Sequence, residues 1–423
     1  MTLGKCHFYH NRGVRTSLFK SASLRIVDSR QRFVALIVGV LVASSGGLVL
    51  AASESTLSQL PGLLLLLPGA IALRGNIFGS MGSRLGTATH MGTFGLSYRI
   101  DSVLVQNLLA SGSLSLISSL ILAILAKGTA SAFGLSPAMT LSDFIVISVI
   151  GGLLASVVLA VVTTALSVGS VRYEWDLDNV VAPLVTTTGD LLTVPSLILV
   201  SGLADRSDLT NGLAVVITLV AVVVLIFSLR TPLERFRRVF RQSIPILGLA
   251  AILDLIAGFV VEKRLKDLLE AEAILILLPA FLGIAGALGG ILSSRLSTQF
   301  HLGMDDASPL PSRSSLRGAI DLSVLAVPIF IFSGVTAHLI AVVAEQSTPG
   351  IAKLVLISAI AGLIATLFVV IVAYYTTMGS FRFGLDPDTY GIPVVTSSLD
   401  LVGAFTVILA MVLTGVILSL IHI

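Results

Sequence analysis

The sequence predicts an all-α polytopic membrane protein of about eleven transmembrane helices, arranged as 5+1+5, with two parallel repeats related by a pseudo-two-fold axis. Three observations predict it. The 423 residues are 55% hydrophobic and only 12% charged, with a mean hydropathy of +1.02, too little charge to cover a water-exposed surface of that size. Apolar stretches of about 20 residues, the length that crosses a ~30 Å hydrocarbon core, recur along the whole chain. The two halves of the chain also repeat one another at a fixed offset.

The spans, in order, are 33–52, 60–82, 102–126, 142–168, 180–203, 211–229, 243–261, 272–294, 318–343, 352–377 and 390–421. Ahead of them, residues 1–32 hold no acid before Asp28 and several Arg and Ser. They read as a basic cytoplasmic tail, although the composition also resembles a mitochondrial transit peptide. No apolar segment precedes residue 33, which argues against a secretory signal peptide. Placing the N-terminus inside puts 19 of the 26 basic residues on cytoplasmic segments. Lys127, Arg206, Lys263, Arg264, Lys266 and Lys353 fall outside, and Arg74 lies within a span. The positive-inside bias therefore favours a cytoplasmic N-terminus and an external C-terminus, in the cell (plasma) membrane. The basic run RTPLERFRR at 230–238 is then expected to be a cytoplasmic loop rather than a nucleic-acid site. The single cysteine, Cys6, excludes a disulfide framework and a cysteine-based metal centre.

The duplication is the strongest signal. LLPGAIALRGNIFGSMGSRLGTATHMG (66–92) aligns with LLPAFLGIAGALGGILSSRLSTQFHLG (277–303) at an offset of 211. DLDNVVAPLVTTTGD (176–190) aligns with DPDTYGIPVVTSSLD (386–400) at an offset of 210. Polar and helix-breaking residues match while the aliphatic residues drift, the reverse of chance apolar similarity. Each repeat holds five spans, an odd number, so a direct fusion would invert the second copy. The unmatched span 211–229 restores its orientation and makes the copies parallel. The expected divisions are a tail (1–32), a first repeat (33–204), a connecting helix and basic loop (205–242), and a second repeat (243–423).

Asp190 and Asp400 lie within the final span of each repeat. A charged Asp at the bilayer centre costs roughly 2.5–3.5 kcal/mol on insertion scales, so it should face a partner, a cavity or an ion. Thr186 and Thr187 precede Asp190 by four and three residues, as Thr396 and Ser397 precede Asp400, and on a helix these share a face. The pseudo-two-fold can bring both faces to the axis. Oxygen-only donors suit a hard cation such as Mg²⁺ or Ca²⁺ rather than Zn²⁺ or Cu⁺. Hydrogen-bonded acids that merely cross-link helices are the alternative.

Pro183 and Pro393 fall one turn before those hydroxyls and would free carbonyls along an ion path, or simply kink the helices. The second span of each repeat is glycine-rich, which fits close helix packing. Arg74, Gly75 and Asn76 form a polar triplet that suggests an interrupted helix lining a pore. Their mates are Ala285, Gly286 and Ala287, so one half of any such constriction is apolar. Asp176, Asp178, Asp386 and Asp388 open the final spans, as helix caps or as an ion vestibule. His90 and His301 read as interfacial polar residues, and Asp254 in the seventh span has no acidic mate.

These two blocks resemble the MgtE-type and solute carrier family 41 magnesium transporters. Residues 66–92 look like that family's second transmembrane helix and 176–193 like its fifth, and the resemblance spans 33–423. It implies a five-helix pore domain, doubled by homodimerisation in bacterial members and by tandem fusion in solute carrier family 41, so that one chain suffices for the pseudo-dimeric pore. It implies that Asp190 and Asp400 bind the transported Mg²⁺ on the central axis; Asn76 and the adjoining hydroxyls are further candidate ligands, and Ala287 at the Asn76 position of repeat two departs from two-fold identical coordination. The cytoplasmic magnesium sensor of the bacterial members has no counterpart in residues 1–32, which favours a carrier coupled to Na⁺ or H⁺ over a sensor-gated channel. Two other classes remain open. Asp190 and Asp400 could form the dyad of an intramembrane aspartyl protease, and Thr188-Gly189-Asp190 faintly fits its GxGD pattern with Thr187 replacing the first glycine. A secondary transporter of an organic solute is the third reading.

Overall fold

Eleven helices follow one another along the described residues of the computed structural model, which are 13–53, 60, 62–97, 99–134, 139–173, 177–204, 207–264, 268, 270–385 and 387–417. The first repeat contributes α1 (Gly13–Ala52), α2 (Leu63–His90), α3 (Val103–Ala132), α4 (Leu141–Val146, continuing through a π-helical turn Ile147–Gly151 into Gly152–Tyr173) and α5 (Leu177–Ser201). α6 (Ser207–Arg230) connects it to α7 (Glu234–Lys263), α8 (Ala273–His301), α9 (Arg313–Val343), α10 (Ile351–Arg382) and α11 (Pro387–Leu413). No strand occurs among the described residues. All of these helices except α2 meet the length and hydropathy of a membrane span; α2, of 28 residues, carries Arg74 and Asn76 at its centre.

Local signals set the boundaries. Ser102 accepts a hydrogen bond from Val105 N at the start of α3, and Thr140 and Asp143 form a capping box at the start of α4. α2 and α8 each end at a glycine of left-handed backbone, Gly92 (φ 67°) and Gly303 (φ 64°), which are repeat mates.

α1 starts at Gly13, so the segment ahead of the first apolar span is helical from there on. Two expectations about local structure are corrected. The run RTPLERFRR is a short turn at 231–233 and then the first turns of α7, whose Phe236 N–H is accepted by Gln106 Oε1 of α3 at 3.1 Å. α2 runs unbroken through Arg74-Gly75-Asn76. Groups on neighbouring helices accept hydrogen bonds from both polar side chains, Ser119 and Ser148 from Arg74 and Ser397 from Asn76.

The packing is two-fold symmetric by helix number. α2 packs on α3, α4 and α5, as α8 packs on α9, α10 and α11. The first helix of each repeat crosses over: α1 lies against α5, α8 and α9, and α7 against α11, α2 and α3. Two hydrophobic cores result. One combines the first repeat with Phe240, Leu247 and Leu255 of α7, the other the second repeat with Leu36 and Val40 of α1. Glycine permits the crossing. A Cβ at Gly47 would lie 2.7 Å from Ile276 O, and one at Gly258 would lie 3.1 Å from Leu65 O. Both pairs are related by the offset of 211, so this symmetry extends to single contacts. α8 sits at the centre, with 89% of its apolar span buried, whereas α6 has only 17% buried and leans on α3, α4 and α7 from outside. α6 is a lipid-facing connector.

Candidate functional site

The pseudo-two-fold passes where repeat mates touch. Ser83 and Ser294, related by 211, hydrogen-bond to each other at 2.8 Å between α2 and α8. Deeper in the bilayer α5 and α11 flank the same axis, each packed on the second helix of both repeats.

The glycines of α2 and α8 place the polar faces. A Cβ at Gly75 would touch Thr186 Cγ2 at 3.4 Å, and one at Gly286 would touch Thr396 Cγ2 at 3.6 Å. Thr186 and Thr396 thus rest on their own repeat's glycine helix. Thr187 and Asp190 turn across to the other repeat: a Cβ at Gly283 would lie 2.8 Å from Asp190 Oδ2 and 3.9 Å from Thr187 Cγ2. Asp190 is buried, with Oδ2 lacking any hydrogen-bond partner. Asp400 is half-buried and close enough to Asp190 for their charges to interact.

The α11 side is richer. Asn76 Nδ2 donates to Ser397 Oγ at 3.2 Å, and Thr396 Oγ1 donates to Asn76 Oδ1 in a short bond. Thr396 Oγ1 also lies against the carbonyls of Ile392 (3.0 Å) and Pro393 (3.2 Å), one turn back. Asp254 of α7 comes to the same place, with Ser397 and Asp400 near enough to interact. Sequence reasoning left Asp254 unassigned because it has no acidic mate; the packing of α7 on α11, the first and last helices of the second repeat, brings it there. A polar residue buried in a span was the available signal.

Among the described residues no Lys, Arg or His forms an ion pair with Asp190, Asp254 or Asp400. Nor does any group of three His, Cys, Asp or Glu lie close enough to hold a metal ion. A cation here would be held by carboxylates in combination with hydroxyl, amide or carbonyl oxygens and retained water, as Mg²⁺ prefers.

Arg74 is not brought to this cluster. Its guanidinium enters the first repeat, where Nη1 donates to Ala70 O (2.7 Å) and Nη2 to Ser119 Oγ (2.7 Å) and Ser148 O (3.3 Å). Repeat two explains the slot. Ser148 Oγ donates to Ser119 O at 2.9 Å, and the mates Ser358 and Phe330 make the same bond at 2.7 Å. Gly152 faces Arg74 where its mate Gly362 faces the Phe330 ring. A cation in one repeat and a phenyl ring in the other fill equivalent space, so Arg74 acts as packing with hydrogen bonds. Asp176 and Asp386 lie outside the described residues, as do the side chains of Asp178, Asp388, Pro183 and His90; α5 runs through Pro183 and α11 through Pro393. His301 Nδ1 approaches Ser297 O at 2.8 Å within its own helix.

A cavity of about 1010 Å³ opens at the basic end, lined by Arg84, Gln106, Asn107, Glu234, Arg238 and His301 among others. Arg84 Nε donates to Asn107 Oδ1 at 2.9 Å. A separate small cavity of about 10 Å³, room for about one water, lies beside Arg84 between Ser80, Asn76, Ser243 and Pro393.

The family model for MgtE, a divalent cation transporter, matches residues 67–200 and 278–419. Solute carrier family 41 member 3 of Mus musculus is 25% identical over 367 residues, covering 81% of this chain and 73% of that protein. Solute carrier family 41 member 2 of Xenopus laevis is 26% identical over 370 residues, covering 81% and 63%. A eukaryotic MATE transporter of known crystal structure gives a TM-score of 0.35 at 11% identity, covering 92% of this chain and 96% of that one, too distant to bear on the fold.

Proposed function

The chain belongs to the MgtE family of divalent cation transporters, and on that premise we propose that it carries Mg²⁺ across the plasma membrane along the pseudo-two-fold axis. The family consists of transporters, not enzymes, which sets aside the protease reading. The observation that carries the proposal is the pair of repeat-mate acids, Asp190 and Asp400, on α5 and α11, close enough to interact and without a cationic partner among the described residues. Buried carboxylates left uncompensated are costly, and a divalent ion with oxygen donors is the compensation that suits them. Thr187, Ser397 and Asn76 supply neutral oxygens beside them; Thr186 and Thr396 set the helix approach against Gly75 and Gly286. The basic cavity is the cytoplasmic mouth, with the N-terminus on that side, and one chain holds both halves of the path.

A dication gains roughly 4.6 kcal/mol per 100 mV on moving inward, so uptake needs no other energy source. We propose alternating access coupled to Na⁺ or H⁺ rather than an open channel. The test is Mg²⁺ flux into proteoliposomes at set membrane potential, with and without a Na⁺ or pH gradient. Asp190→Ala and Asp400→Ala should each cripple flux while the protein elutes as a folded species; normal flux in both would sink the proposal.

A further inference from the structure

The repeats part from symmetry at two polar positions, and both departures enrich the same side of the axis. Asn76 stands where the second repeat has Ala287, and Asp254 where the first has Ala43. Both reach α11, Asn76 from α2 of the first repeat and Asp254 from α7 of the second: Asn76 bonds Ser397 at 3.2 Å, and Asp254 lies within interaction range of Ser397 and Asp400. On the α5 side the equivalent positions are alanines, and Asp190 faces Gly283. Asp254 is 0% exposed, and no hydrogen bond of good geometry reaches either carboxylate oxygen, although Ser397 and Asp400 stand within interaction range. A buried carboxylate beside a second one, with no cationic side chain on either, is an arrangement that helix packing alone would not sustain.

We propose that the principal cation site lies off the pseudo-two-fold, on the α11 side, with Asp254 as a direct divalent-cation ligand beside Asp400, Ser397 contributing a neutral oxygen and Asn76 holding the Ser397 hydroxyl through its Nδ2. The charges balance, since two carboxylates neutralise one dication. Asp190 is then a second, weaker position across the axis, through which the ion passes. The inference rests on the reading of Asp400 as a cation ligand, and its test separates the two.

Mg²⁺ is titrated calorimetrically into the full-length protein in detergent, with Asp254→Asn, Asp400→Asn and Asp190→Asn compared with wild type. Asp254→Asn and Asp400→Asn should each weaken Mg²⁺ binding about tenfold or more, the scale on which metal sites lose affinity when their ligand environment is altered, and Asp190→Asn should weaken it far less. Equal losses at Asp190 and Asp400 with none at Asp254 would overturn the off-axis site and leave an axial one. No loss in any variant would overturn the transport reading itself. Should Asp254→Asn fail to fold, Asp254→Glu serves instead. A ligand lengthened by one methylene should shift the preference between Mg²⁺ and the larger Ca²⁺, and an unchanged preference overturns the assignment.

Discussion

Gly152→Ala tests whether Arg74 packs the first repeat or lines the path. The added Cβ would fall inside the contact radius of Arg74 Nη2 and close to Ser119 Oγ. The guanidinium must leave its slot, giving up bonds to Ala70 O and Ser119 Oγ, both at 2.7 Å, and the longer one to Ser148 O. A hydrogen bond to a charged group contributes about 1.5–3 kcal/mol, whereas interhelical bonds in membranes average about 0.6 kcal/mol. Weighing the two shorter bonds between those limits, the expected loss is about 2–4 kcal/mol. The assay is the apparent Tm of the purified protein in detergent beside Mg²⁺ flux per folded molecule. Gly152→Ala should lower Tm by several degrees, and Arg74→Met, which fills the slot as Phe330 does in the second repeat, should retain most of the flux. If Arg74→Met abolishes flux at unchanged Tm, Arg74 faces the ion and the packing argument is wrong.

Two further outcomes follow from single contacts. Gly47→Ala should cost more than Gly258→Ala, about 1–3 kcal/mol for overpacking, because its Cβ meets Ile276 O at 2.7 Å while the mate meets Leu65 O at 3.1 Å; equal Tm values for the two variants would refute the crossing at this depth. In the turn between α8 and α9, burial pushes the Asp305 carboxyl up, but hydrogen bonds from Ser312, Ser315 and Ser314 outweigh it and hold it below the usual carboxylate range. A folded value below the unfolded one means stability present above the ordinary carboxylate pKa and lost as pH falls through the lowered value. Asp305→Asn should remove that acid-side dependence of Tm, and an unchanged Tm–pH profile below the ordinary carboxylate pKa in the variant would count against it.

The helix inventory was legible in the sequence because each span had to be apolar over about 20 residues, and the duplication was legible because glycines, prolines and acids recur in register. That is why Asp190, Asp400, Thr187 and Ser397 stand out in the sequence as candidates. The polarity of Arg74 was read correctly but its direction was not: a polar triplet on a helix gives no sign of which neighbour receives each side chain. Ser119, Ser148 and Gly152, far along the chain, decide that.

By itself the sequence determined an all-helical, doubled membrane protein with one matching acid per repeat, because hydropathy and internal repetition are written in local residue order. Only the tertiary structure decided that the first helices exchange between repeats, and that α7, also packed on α11 of its own repeat, sets Asp254 beside Asp400 while α1 brings only Ala43 to α5. The physical reason is that the exchange depends on close backbone approach at Gly47 and Gly258, a relation between distant segments that no local pattern records.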